Sequence, residues 1–139
     1  MAPLRNGELA HLLQEHGNGE AIVSAGRSAL PESLRDAILH PDEARISEVR
    51  EWLRVDTHYL VHPESPDYPE LMRQIPDAPT LLYVVGNCSA LNLPSLAIVG
   101  SRNPTPQGAI NAREFSRALA QQGLTIVSGL ALGVDGAAH

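Results

Sequence analysis

An α/β fold with parallel strands, led by a small helical bundle, is what this 139-residue sequence predicts. Three features carry the prediction. Leu96-Ala97-Ile98-Val99 is a short apolar run closed by Gly100, the pattern of a buried parallel strand. Thr105-Pro106 then opens a helix, with a hydroxyl N-cap and proline at the first helical position. A second apolar run, Leu124–Val127, leads into a second glycine turn, Ser128–Gly133, and a new helix starts near Val134 or Asp135. Strand, glycine turn and helix thus occur twice in succession. A parallel pair joined by a right-handed helical crossover is the expected arrangement.

Upstream, residues 7–54 read as four short helices. Gly7–His16 carries Leu9, Leu12 and Leu13 at helical spacing and is broken by Gly17-Asn18-Gly19. Glu20–Ser24 is a short second helix, and Ser28–His40 a third with Leu30, Leu34, Ile38 and Leu39 on one side. Pro41-Asp42 opens a fourth, striped by Ile46, Val49, Trp52 and Leu53. Tight turns between short helices make a small bundle. A domain boundary is expected near Arg54–His58, giving domains 1–55 and 56–139.

Tyr59-Leu60-Val61 is a short strand, Tyr68–Ile75 a short helix, and Leu81–Val85 a strand closed by Gly86-Asn87. These strands are expected to extend the parallel sheet. The central helix should run from Pro106 to about Gln122, with Gly123 as its stop. Ala112, Phe115, Ala118 and Leu119 form its apolar face, and Arg113 and Arg117 project elsewhere. Trp52, Tyr59, Tyr68, Tyr83 and Phe115 read most simply as core residues.

Composition narrows the function. Formal charge is −6, against a generally basic nucleic-acid binder. The charge is uneven: residues 1–94 sum to −7 and residues 95–139 to +1, and every basic residue is arginine. The lone Cys88 rules out an internal disulfide. No apolar stretch approaches the ~20 residues of a membrane span, and the N-terminus lacks a signal-peptide core. A cytoplasmic protein is the expectation. No metal-ligand spacing is present, and no metal or other cofactor is expected. Two parallel strands cannot cover both faces of a sheet, so the chain reads as part of a larger domain.

Parallel pairing would put both glycine turns at one sheet edge, where unpaired N–H groups and helix N-termini favour an anion. Arg102 adds a planar guanidinium suited to phosphate. Gly100, Ser101, Arg102, Asn103, Thr105 and Gly108 in the first turn, and Ser128, Gly129 and Gly133 in the second, form the expected phosphate-binding set. The plain alternative is two tight turns with a solvated arginine. Arg102 stands where a dinucleotide fingerprint needs its second glycine, and a P-loop needs a lysine that is absent. Asp135 reads most simply as a charge favourable to a helix N-terminus, with catalysis the lesser alternative, and His139 as a packed imidazole or else a catalytic or binding one. Ser101 has no evident base and no nucleophile elbow is present, so no catalytic residue is assigned. His16-Gly17-Asn18-Gly19 could also be a helix-hairpin-helix turn or part of an interaction module.

The segment Ala97-Ile98-Val99-Gly100-Ser101-Arg102-Asn103-Pro104-Thr105-Pro106-Gln107-Gly108, with Val127-Ser128-Gly129-Leu130-Ala131-Leu132-Gly133-Val134-Asp135-Gly136-Ala137-Ala138-His139, resembles the bacterial DNA-processing protein A family (DprA, or Smf). Tyr68-Pro69-Glu70-Leu71, Ile75–Pro79 and Leu82–Asn87 are similar to that family as well, and the helical start resembles its sterile-alpha-motif-like (SAM-like) domain. The resemblance implies an extended Rossmann-like fold, of which this chain holds the first part. It implies a non-enzymatic protein of natural transformation that binds and protects incoming single-stranded DNA, loads RecA, and forms a homodimer at full length. It places the family's Gly-Ser-Arg on Gly100, Ser101 and Arg102. Many members carry a basic residue where this chain has Leu132. Further DNA-contacting positions, and the winged-helix-like domain of many members, would lie beyond His139. The competing reading is a nucleotide-processing enzyme of the related phosphoribohydrolase-like fold, whose Pro-Gly-Gly-x-Gly-Thr turn is missing here.

Overall fold

The structure, a computed structural model, describes residues 6–24, 30, 35 and 40–139. It divides into two compact units, Met1–Leu91 and Asn92–His139.

In the first unit, α1 (Asn6–His16) and α2 (Gly19–Ser24) flank the turn at Gly17, whose amide donates to Leu13 O. Leu12 and Ile22 bury together with Leu30, and Leu13 packs against them. The expected helix Ser28–His40 lies outside the described residues apart from Leu30, Arg35 and His40. Helix α3 (Glu43–Trp52) starts where Asp42 accepts the Arg45 amide, a carboxylate N-cap. Strands β1 (His58–Val61) and β2 (Leu82–Val85) pair antiparallel, with Tyr59 opposite Val84 and Leu60 opposite Tyr83. This overturns the expectation that they extend the parallel sheet: they form a two-stranded sheet of their own. Each satisfies the backbone groups of its facing edge on the other strand.

Between them, α4 (Glu70–Arg73) follows Pro69 and is pinned by two side chains. Tyr68 is 1% exposed and donates its hydroxyl to Pro79 O at 2.6 Å. Arg73 lies over the Tyr68 ring, donates to the carbonyls of Pro63 and Ser65, and pairs with Glu70. Of the aromatics expected in the core, Tyr68 alone is fully buried. Tyr59, Tyr83 and Phe115 are exposed, and Trp52 stacks on His58 at 4.2 Å.

The second unit begins as a 3₁₀ turn ends at Asn92. Strand β3 (Ser95–Ala97) pairs parallel with β4 (Thr125–Val127), Leu96 opposite Ile126, and the crossover is α5 (Pro106–Gln121). Thr105 caps α5 by accepting the Gly108 amide, Pro106 occupies its first turn, and Gly123 follows the last turn at φ +89°. Ala112 and Ser116 are its buried stripe, and Ser116 satisfies its hydroxyl on Ala112 O. Phe115, expected on that face, is 65% exposed, and Ala118 is exposed too. The expected burial of β3 is likewise overturned: all three of its residues are exposed. Two strands leave one sheet face uncovered, and an open apolar groove lined by Leu96, Ile98, Phe115, Leu119 and Val134 results. Among the described residues, no helix is long and apolar enough to cross a membrane, and no cluster of His, Cys, Asp or Glu could hold a metal.

Burial raises the pKa of the Tyr68 phenol, and the nearby Arg73 charge partly opposes this. The neutral phenol is therefore favoured by folding. Its contribution is complete below the ordinary tyrosine pKa of about 10 and is lost as pH climbs through the raised folded value. Urea unfolding should show stability falling above about pH 10, with a shallower fall in Tyr68→Phe. At pH 7 that variant should lose about 1 kcal/mol, the cost of the hydrogen bond to Pro79.

Candidate functional site

Parallel pairing of β3 and β4 sets the turns Gly100–Pro104 and Ser128–Gly133 side by side at the carboxyl ends of the strands. They are joined by the short helix α6 (Val134–Ala138), which follows the second turn directly. Asp135 is 6% exposed, and its carboxylate bridges the turns. Oδ1 accepts the Gly100 amide at 3.2 Å and Oδ2 accepts the Gly129 amide at 3.1 Å. The Val134 amide donates to Ser101 O at 3.0 Å, a third link between second and first turns.

Two glycines permit this approach. Gly133 has φ +94° and ψ −127°, a region that side chains avoid. A Cβ there would lie 2.3 Å from Ser101 O and 2.6 Å from Arg102 O. A Cβ on Gly100 would lie 2.9 Å from the side-chain carbons of Val134. Gly133 is therefore seated against the first turn, and Gly100 against the start of α6, with no room for a methyl group at either.

The expected hydroxyls are engaged locally. Ser101 Oγ accepts the Asn103 amide at 3.1 Å, Thr105 Oγ1 the Gly108 amide at 3.1 Å, and Ser128 Oγ the Leu130 amide at 3.0 Å. Ser128 Oγ also lies 2.8 Å from His139 Nε2, so His139 is exposed and hydrogen-bonded rather than packed. The bare peptide hydrogens anticipated at this edge are thus largely committed. Asp135 takes two of them, at Gly100 and Gly129, and side-chain oxygens take those of Asn103, Gly108 and Leu130.

What remains for a ligand is specific. Arg102 is exposed, and among the described residues its guanidinium has no acceptor and no ion-pair partner. The amides of Ser101 and Arg102 likewise have no acceptor among those residues. Leu132, on the second turn, is 83% exposed, and Leu130 holds φ +52°, unusual for a side-chain-bearing residue. Arg113 and Arg117, with His139, line a second groove between α5 and α6, where Arg117 pairs with Glu114.

Sequence reasoning assigned Asp135 to its own helix terminus and missed the clamp. The only signal for it was an acidic residue just after the second glycine turn, at an edge rich in amides.

This geometry defines the class: a Rossmann-like α/β protein whose two strand-end turns are locked together by a carboxylate, with an arginine at their rim that is unpaired among the described residues. Residues 59–139 match the family model described as DNA recombination-mediator protein A, and the chain belongs to that family. It is 46% identical over 81 residues to protein Smf of Synechocystis, a match covering 55% of this chain and 20% of the relative. It is 42% identical over 88 residues to protein Smf of Escherichia coli, covering 63% of this chain and 24% of the relative. The crystal structure of DNA processing protein A from Streptococcus pneumoniae superposes with a TM-score of 0.71 at 30% identity, over 96% of this chain and 47% of that one. The chain therefore spans about a quarter or less of those curated relatives and about half of the solved structure.

The interlocked turns make a stability prediction. Gly133→Ala should cost roughly 3 kcal/mol or more, because strain at positive φ adds to a clash with backbone oxygens. Gly123→Ala, at φ +89° with nothing within 4 Å of the added carbon, should cost only about 1–2 kcal/mol. Urea midpoints of the two variants measure the difference.

Proposed function

We propose that this chain is part of a single-stranded-DNA-binding protein of DNA uptake and natural transformation, one that protects incoming strands and loads RecA for recombination. Phosphates of the strand meet Arg102 and the free amides of Ser101 and Arg102. Gly100, Gly129 and Gly133 shape the edge, while Ser101, Asn103, Thr105, Gly108 and Ser128 hold its loops. The protein acts without catalysing a reaction, works in the cytoplasm, and is a homodimer at full length.

The observation that carries this reading is the exposed, unpartnered guanidinium of Arg102 at the rim of two joined turns. Arg54, Arg73 and Arg117 have carboxylate partners; Arg102 shares its lack of one with the exposed Arg45, Arg50 and Arg113, and its place at the rim of the turns sets it apart from them. An arginine in that state offers its full donor set to a phosphate at no cost of breaking an internal pair. The relatives' names, DNA processing protein and recombination-mediator protein, support the same reading. The local charge does too: residues 95–139 sum to +1 in a chain of −6. Contacts limited to phosphates carry no sequence information, so binding is sequence-tolerant.

A gel-shift titration of oligo-dT with full-length protein tests it. Arg102→Ala should weaken binding at least about tenfold, the scale of one charge-assisted phosphate contact. It should also reduce the slope of log affinity against log salt by about 0.7, one phosphate contact on a single strand. Unchanged affinity and slope would remove Arg102 from the interface.

A further inference from the structure

We infer that Asp135 is a resident anion: its carboxylate fills the position that a phosphate would take between the two glycine turns, and so excludes free phosphate groups from the inner edge of the sheet. The amides of Gly100 and Gly129 sit at the carboxyl ends of adjacent parallel strands, where open α/β sheets present N–H groups to anionic ligands. In this protein both donate to one carboxylate, at 3.2 and 3.1 Å, and that carboxylate is buried. One negative group with two oxygens accepting two backbone amides is the chemistry of a bound phosphate, supplied from within the chain. Its charge repels a second anion at the same amides. The edge is closed further by Val134, whose side chain lies against Gly100 and whose amide is held by Ser101 O.

The consequence is selectivity. A mononucleotide or a free phosphate, which needs an inner cradle of amides, finds that cradle occupied. A polyanionic strand does not need it, because it can lie along the outer rim at Arg102 and accumulate contacts over several phosphates. Asp135 is therefore a specificity-determining residue that acts by refusing the nucleotide ligands of related folds. This second step rests on the DNA-binding reading above; the occupancy of the cradle does not.

Backbone amide resonances of Gly100 and Gly129 provide the test. In the wild-type protein, titration with inorganic phosphate should leave both unmoved. Asp135→Asn, which keeps the shape but removes the charge and replaces one acceptor oxygen by an NH2 donor, should shift both upfield, one by a weakened and the other by a lost hydrogen bond, with the circular-dichroism spectrum unchanged. Asp135→Ser, which vacates the space, should make both resonances respond to phosphate. Movement of the wild-type resonances on adding phosphate would overturn the inference, and that measurement needs no variant to fold. So would a folded Asp135→Asn protein in which neither resonance shifts, or a folded Asp135→Ser protein that remains blind to phosphate. Oligo-dT added to the wild type should perturb the Arg102 side chain and leave Gly100 and Gly129 in place. Loss of that response alone, with the phosphate results as expected, would overturn the DNA-binding reading and leave the resident anion standing.

Discussion

The Asp135 carboxylate is the constraint on which the second unit depends. Parallel strands exchange no hairpin, so β3 and β4 are joined only through α5, and their carboxyl ends have no covalent reason to stay in register. One buried side chain on α6 binds Gly100 of the first turn and Gly129 of the second and closes that end. Hydrogen bonds to a charged acceptor contribute about 1.5–3 kcal/mol each, more than a neutral pair. A second anion about 4 Å away would face roughly 4 kcal/mol of repulsion at an effective dielectric of 20. The same group therefore organises the edge and limits what can bind there.

Glycine follows from that arrangement rather than preceding it. Gly133 is needed because the chain passes within reach of the Ser101 and Arg102 carbonyls, and Gly100 because Val134 packs onto it. With the turns this close, Asp135 takes the Gly100 and Gly129 amides, and Arg102 is left exposed to solvent. An arginine with no acceptor among the described residues keeps its full donor set for solvent or a ligand.

The exposed faces follow from the same topology. Leu96, Val99, Phe115 and Leu132 would be poor surface residues in a finished sheet, yet each is exposed in this chain. Their apolar character agrees with the reading of 96–139 as part of a larger parallel sheet. The chain's 47% coverage of its solved relative is in keeping with that.

Local rules in the sequence determined much of this. Thr105 and Pro106 start α5 and Gly123 ends it, because capping and left-handed termination are settled within a few residues. The order strand, turn, helix, repeated, was legible from apolar runs and glycine spacing, and so was the parallel pairing. The strand that Leu82–Val85 would join was not, because period-two patterning identifies a strand and not its neighbour. The face of α5 that is buried was not either: Ser116 lies inside and Phe115 outside, decided by what packs there rather than by polarity. Above all, only the tertiary structure decided the role of Asp135. A carboxylate reaching amides 35 and six residues away depends on where two turns meet in space, and no local periodicity records that distance.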